Sequence, residues 1–398
     1  MTLKIKANAG GVLDPKDTIG RTEFIKQLWE VLIHQSVILT SERRIGKSSV
    51  IRKMEDEPNE RWTIVMRDVE GISSVKEFVT RLIDDLYEYQ TNKNKTMKWL
   101  TSIRKELDGW SFFGIKVGAK SDPDWIEVLE RLLENLCAEL EQRKESLLLI
   151  WDEFPWMLQK IIKSESAHNA ANLLDNLRHA RQKNSNIRMV YTGSIGLHHV
   201  LNVLRAEGIS NEPTNDMAII NLPAFTPENA KDLTEALVAG EDLKVVDDAV
   251  YLQLPECVDH VPYYIHHIIR TLKNKRQVIT VESVETCIKE SFVDANDPWD
   301  LRHYQSRLEE YYGEQYFIYQ SILDIIAHSQ AGLGEQDIFA QLQAVPYIAE
   351  NYLSVINAPN FINKALILLA ADHYLLKDPE HHTYDFSYPL IKTWWMRK

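Results

Sequence analysis

The sequence predicts an α/β protein: a core of five parallel strands covered by helices, then a helical lid and a C-terminal winged-helix domain. Three observations carry this reading. Five short apolar runs are separated by helical stretches, one run feeds a Gly-Lys-Ser turn that opens a helix, and another ends in two adjacent acids. Unbroken apolar runs are what strands buried on both faces look like, and crossover helices supply the cover. The runs are Val37-Ile38-Leu39, Trp62 to Met66, Leu147 to Trp151, Ile187 to Tyr191, and Met217 to Leu222.

The first run leads into Ser41-Glu42-Arg43-Arg44-Ile45-Gly46-Lys47-Ser48-Ser49, and Val50 to Met54 continues as helix. A strand, a tight loop ending Gly-Lys-Ser and a helix form the context in which a phosphate-binding loop works. Gly46 lets the backbone approach a phosphate. The surrounding amides make an anion nest, reinforced by the partial positive charge of the helix N-terminus. In that setting Lys47 reaches the β- and γ-phosphates of a nucleotide, and the Ser48 hydroxyl suits Mg²⁺. Ser41, Ile45 and Ser49 complete the loop, while Arg43 and Arg44 are placed to touch nucleotide or to bridge to the lid. In the full G-x-x-x-x-G-K-[ST] pattern the first position is glycine; here it is Ser41.

Leu147-Leu148-Leu149-Ile150-Trp151 ends in Asp152-Glu153. An acid at the carboxyl end of a central strand holds Mg²⁺ through water, and a second beside it polarises an attacking water. These roles fall to Asp152 and Glu153. Ile187 to Tyr191 runs into Thr192-Gly193-Ser194, where a small polar residue senses the γ-phosphate; Thr192 and Ser194 are both candidates. Arg178 and, less directly, Arg205 are candidates for an arginine finger. The sequence does not choose between them.

Composition narrows the alternatives. At 398 residues, 44% apolar and 26% charged, the chain has the make-up of a globular protein of two or three domains. No apolar run approaches a membrane span, and Met1 to Val12 lacks the apolar stretch of a secretory signal. Cys137, Cys257 and Cys287 are scattered, which points to a reducing cytoplasm and away from disulfides or structural zinc. A net charge of −13 and a pI near 5.5 do not favour a broad grip on DNA. His198-His199, His266-His267 and His381-His382 do not form a metal site on this reading, because helical neighbours point about 100° apart.

Along the chain, residues 1–225 read as the core, 226–295 as the lid and 296–398 as the winged helix. A long crossover separates the second strand from Asp152. It contains the polar stretch Thr91 to Lys95 and the alternating stretch Ser111 to Gly118, which reads as an exposed strand or hairpin. Thr226-Pro227-Glu228 starts a helix cleanly, and Asn296-Asp297-Pro298 is a break. Beyond it, helical segments occupy Glu314 to Ala327, Gly334 to Leu342 and Phe361 to Ala371. A hairpin follows over Tyr374 to Asp378 and Thr383 to Phe386, and Leu390 to Lys398 ends the chain. Phe361 to Ala371 offers only Asn363 and Lys364 to base edges, so partner-protein contact is expected before DNA reading. Trp394 and Trp395 are expected to cover this domain's own core.

Taken together, these segments resemble the prokaryotic archaeal-type ATPase family, a P-loop NTPase group within or beside the AAA+ and STAND ATPases. Matching pieces are Ile19-Gly20-Arg21, Arg43 to Ser49, Ile150 to Phe154, Leu177-Arg178, Thr192-Gly193-Ser194, and Val261-Pro262-Tyr263-Tyr264. The resemblance places Gly20 and Arg21 near the adenine and Pro262 in a lid that folds over the nucleotide. It implies Walker A and Walker B chemistry with ATP and Mg²⁺, and a regulatory, mobile-element or defence setting. The expected protein is a slowly hydrolysing ATP switch that couples nucleotide state to a protein partner, with oligomerisation left open. A DNA-binding ATPase of the origin-recognition or transposition-regulator kind, and a non-hydrolysing nucleotide-binding scaffold, stand as alternatives.

Overall fold

The computed structural model describes residues 3–92, 97–111 and 123–398. The stretches Thr91 to Lys95 and Ser111 to Gly118 singled out above lie, beyond residues 92 and 111, outside the described residues. The chain forms two compact units. One comprises residues 21–41 and 47–222; the other comprises the segment up to Gly20, residues 42–46, and residues 223–398.

The first unit runs α1 (Thr22–His34), β1 (Val37–Thr40), α2 (Lys47–Asp56), β2 (Trp62–Asp68), α3 (Val75–Asn92), α4 (Lys98–Ser111), α5 (Trp125–Arg143), β3 (Ser146–Asp152), α6 (Phe154–Ser164), α7 (Ala167–Lys183), β4 (Ile187–Thr192), α8 (Leu197–Ala206) and β5 (Ala218–Asn221). The five strands form one sheet in the order β2-β3-β4-β1-β5, with every neighbouring pair parallel. A parallel pair needs a crossover, and each is supplied by at least one helix. Leu147 to Ile150 have no exposed surface, and Trp151 has almost none, as expected of a strand covered on both faces. Phe78, Trp151, Phe154 and Tyr191 pack together, with the Phe154 and Tyr191 rings stacked at 4.0 Å and Phe78 edge-on to Trp151 at 5.2 Å. Trp151 and Phe154 flank the two acids, so this cluster fixes the end of β3.

Two arginines in the unit's interior are fully employed. Arg188, on β4, donates to the carbonyls of Leu32, Ile33 and His34, which end α1 and would otherwise lack partners. Arg181, on α7, donates from Nε and Nη2 to Asp216 at 2.9 Å each, from Nη2 to the Pro213 carbonyl at 2.8 Å, and from Nη1 to the Tyr191 hydroxyl at 2.6 Å.

The second unit begins as a strap. The Ile5 amide donates to the Ala236 carbonyl, the Ala7 amide to the Glu241 carboxylate at 2.8 Å, and the Asn8 amide to His266 Nδ1 at 3.1 Å. The helices beneath are α9 (Pro227–Glu241), α10 (Val250–Glu256), α11 (Pro262–Asn274) and α12 (Val281–Val293). Thr226 caps α9 through the Asn229 amide, with Pro227 at the first helical position, and Thr280 with Ser283 forms a capping box on α12.

Beyond the break come α13 (His303–Tyr312), α14 (Tyr316–Ala327), β6 (Leu333–Gly334), α15 (Glu335–Ala344), α16 (Pro346–Asn351), α17 (Leu353–Ile356), α18 (Phe361–Ala371), β7 (Leu375–Lys377), β8 (Thr383–Phe386) and α19 (Pro389–Trp395). The three strands pair antiparallel in the order β6-β8-β7. Helix α13, the short α16 and α17, and the two-residue β6 have no counterpart in the sequence reading; α16, α17 and β6, at two to six residues, carry too few periods to register. Trp394 and Trp395 are buried, and Trp395 donates its indole N–H to Asp324 at 2.7 Å. Among the described residues no helix is long and apolar enough to cross a membrane.

Arg181→Met should destabilise the protein by about 3 kcal/mol, because Asp216 and the Tyr191 hydroxyl lose their partner together. Urea denaturation followed by tryptophan fluorescence measures this, and a change below about 1 kcal/mol would show the pair to be energetically idle.

Candidate functional site

The parallel sheet concentrates polar side chains where its strands end. In a sheet with both faces covered, the backbone turns toward solvent only at strand ends, and in open α/β folds the chemistry gathers at the carboxyl ends. There β1 delivers Thr40 and Ser41, β3 delivers Asp152 and Glu153, and β4 delivers Thr192, Gly193 and Ser194. Leu39 is in register with Thr192, and Asp68 at the end of β2 is in register with Asp152.

Lys47 opens α2, and its ammonium donates to Ser41 at both the backbone carbonyl (2.9 Å) and the hydroxyl (3.0 Å). Ser41, the position at which the loop departs from its pattern, thus holds the lysine directly. Ser48 Oγ donates to Asp152 Oδ2 at 3.0 Å, joining residues 104 positions apart. Burial first, and then the neighbouring charge of Glu153, raises the Asp152 carboxyl above the usual carboxylate range; the bond from Ser48 opposes the shift and Asp68 adds to it. A hydroxyl and a carboxylate side by side are hard oxygen donors, the set that suits Mg²⁺ rather than a soft thiolate-seeking metal. Asp68 is a neighbour that sequence reasoning did not identify, although it ends its strand in an acid just as β3 does.

Glu153 has φ of 58°, a left-handed conformation that a non-glycine residue adopts only when its surroundings enforce it. Its carboxylate accepts from the Ser194 amide at 2.9 Å and the Ser194 hydroxyl at 2.8 Å. Gly193 makes this approach feasible: a Cβ there would stand 2.8 Å from Pro155 Cδ and 3.4 Å from the Glu153 carboxylate. Thr192 is 2% exposed, and its hydroxyl has no hydrogen-bond partner among the described residues. A buried hydroxyl without a partner is costly and uncommon.

Arg178 is half-buried on α7, its Nε without a hydrogen-bond partner among the described residues; its charge acts on the Asp175 carboxyl one turn back, opposing the upward push of burial there. Arg205 is exposed and paired with Glu212. Arg21 is buried at the start of α1.

In the other unit the loop segment Glu42–Gly46 meets the C-terminal half of the chain. Gly46 has φ of 102°, which favours glycine. Ile45 is fully buried. Arg43 pairs with Asp300 at 2.9 Å, Arg44 approaches the same carboxylate at 3.7 Å, and the Arg44 guanidinium lies 4.3 Å from the Tyr263 ring centre. Pro262 is the first residue of α11, and the Tyr263 hydroxyl donates to the Pro298 carbonyl at 2.6 Å. Gly20 accepts from Asn229 Nδ2 at 3.4 Å. Asp300 and the partner of Glu42, Arg307, were missed by sequence reasoning; nothing local marks a contact 265 positions away.

No family model matches the sequence, and no curated protein is similar to it. Among solved structures the chain is similar to a Walker-type ATPase of Pyrococcus abyssi, with a TM-score of 0.61 and 16% identity over 96% of both chains. It is also similar to the ORC2 protein of Aeropyrum pernix in its ADPNP–ADP complexes, with a TM-score of 0.54 and 11% identity over 95% of this chain and 92% of that one. At these identities the likeness is one of fold, an α/β core of parallel strands covered by helices.

The raised Asp152 carboxyl predicts a pH dependence. The folded protein holds this proton more tightly than the unfolded chain, so the group's contribution to stability is full at acid pH and is lost as pH rises past the carboxylate range. Above that range Asp152→Asn should therefore melt at a higher temperature than the wild type, with the gap closing as pH falls. Thermal melts from pH 4 to 8 check this, and a variant less stable than wild type at pH 8 would contradict it.

Proposed function

We propose that the protein binds Mg·ATP at the loop Ser41 to Ser49 and hydrolyses it slowly, acting as a switch. The single observation that carries this reading is the bond between Ser48 and Asp152, with Lys47 beside it on the same helix end. Three groups that a Mg-nucleotide needs converge without any being close in sequence to all the others. Lys47 moves from Ser41 to the β- and γ-phosphates, and the backbone amides of the loop and of the first turn of α2 receive the remaining charge. Ser48 and Asp152 hold the cation, which when bound neutralises phosphate charge. By resemblance Gly20, Arg21 and Pro262 line the base, and Arg43 and Arg44 complete the loop.

Glu153 orients the attacking water, and Thr192 or Ser194 reports on the γ-phosphate. The two bonds from Ser194 to Glu153 support slow turnover, because the carboxylate must leave this hold before it can accept a proton from water. Arg178 stands as the arginine candidate on this reading, Arg205 being paired with Glu212.

The C-terminal region acts, on this proposal, as a winged helix that engages a protein partner. Asn363 on α18 is bonded to Glu335 at 3.2 Å, whereas Ile367 on the same helix and Leu376 on β7 are more than half exposed. An apolar residue presented on helix and hairpin suits a protein surface better than base edges.

Phosphate release from Mg·ATP should be slow in the wild type and fall by about a hundredfold or more in Glu153→Gln, with nucleotide binding retained. Undiminished release by Glu153→Gln would remove Glu153 from the reaction. Release indistinguishable from buffer in the wild type would leave a binding protein without turnover.

A further inference from the structure

We infer that Arg307 and Glu42 are positioning residues for the phosphate loop, so that the loop's nucleotide-ready shape is set from the C-terminal half of the chain. The inference rests on the reading that the loop binds nucleotide. Glu42 immediately follows Ser41, and both it and Arg307 are 3% exposed. The Arg307 guanidinium donates from Nη1 to Glu42 Oε1 and from Nη2 to Oε2, both at 3.3 Å, a fork on a carboxylate. The same Oε1 is also used locally, accepting from the Arg43 amide at 2.7 Å. That bond ties the carboxylate to the loop's own backbone, so whatever holds the carboxylate holds the loop.

Arg307 is itself built in. Its Nε donates to the Tyr374 hydroxyl at 2.7 Å and Nη2 to the Asp372 carbonyl at 3.0 Å. Its guanidinium lies 4.2 Å and 4.6 Å from the ring centres of Tyr374 and Tyr304. The Tyr374 hydroxyl donates in turn to the Tyr304 carbonyl at 2.6 Å. These contacts engage every nitrogen of the guanidinium, so a change of rotamer would break several of them at once.

An ion pair removed from water is weak support for stability but strong support for geometry: losing one member strands the other charge. A loop that binds phosphate through backbone amides depends on the dihedral angles of every residue, and here Arg44 and Gly46 both take positive φ. If the competent loop shape is populated only in part, apparent affinity falls by that fraction. The pair therefore acts on nucleotide affinity without touching nucleotide, and it does so from residues 265 positions apart.

The test compares full-length wild type with Arg307→Met, Arg307→Lys, Glu42→Gln and the double variant Glu42→Gln with Arg307→Met. Three readouts are taken: melting temperature, amide hydrogen exchange of the peptide spanning Ser41 to Lys47 without nucleotide, and calorimetric affinity for Mg·ADP. Each single variant should exchange faster in the loop and bind Mg·ADP about tenfold more weakly. The double variant should recover melting temperature, since no charge is left stranded, while loop exchange and weak binding persist. Recovery of both stability and affinity in the double variant would reduce the pair to a structural contact and overturn the inference. If Arg307→Met does not fold, Arg307→Lys decides: it keeps the charge but not the fork, and wild-type exchange with wild-type affinity would again overturn it. A wild type that binds no Mg·ADP refutes the nucleotide reading instead, and unchanged loop exchange in the variants then independently removes the clamp.

Discussion

Polar chemistry in this protein is confined by the cover on its parallel sheet. Leu147 to Ile150, Met189 and Val190 are sealed from solvent, and the one charge buried among them, Arg188 on β4, is held there by the carbonyls that end α1. The acids and hydroxyls of the candidate site stand where strands stop. The order β2-β3-β4-β1-β5 makes β3, β4 and β1 consecutive neighbours, and their ends carry Asp152 with Glu153, Thr192 with Ser194, and Ser41. Convergence of these residues follows from strand order alone, and the aromatic cluster around Trp151 and Phe154 keeps the acids from drifting.

A second feature is that three pairs of polar groups in the candidate site hold one another. Lys47 is held by Ser41, Ser48 by Asp152, and Glu153 by Ser194. On the proposed function each of these bonds would be exchanged for contacts to a nucleotide and a cation, and each is worth about 1 kcal/mol net. Binding must therefore supply more than it disrupts, which the charge-assisted contacts to phosphate do. Asp152 works in the opposite direction: its raised carboxyl is a destabilised anion that a cation relieves.

Much of this was legible in the sequence. The strands were readable because parallel strands are continuously apolar, and the loop because Gly46-Lys47-Ser48 follows one of them. Thr226-Pro227 marked a helix start through its capping chemistry, and the hairpin was read as two short runs, Tyr374 to Asp378 and Thr383 to Phe386, on either side of Pro379 to His382. What could not be read depends on contacts without periodicity. Glu42 looks like one more polar loop residue, and Arg307 like a surface arginine on a charged helix, until the fold buries both. Asp300 serves Arg43 and Arg44 from a segment with no secondary structure. The strap up to Gly20 shows no pattern either, since it binds through backbone amides that any sequence supplies.

The central claim is that Lys47, Ser48 and Asp152 form a Mg-nucleotide site, and equilibrium binding tests it most directly. Titration of Mg·ATP into wild type and Lys47→Ala, by calorimetry in the same buffer, should show saturable binding to the wild type. Affinity in the variant should be weaker by about tenfold or more, as expected for loss of a charged hydrogen bond to phosphate. Equal affinity in the two proteins would contradict the account, because it would place any bound nucleotide away from this loop.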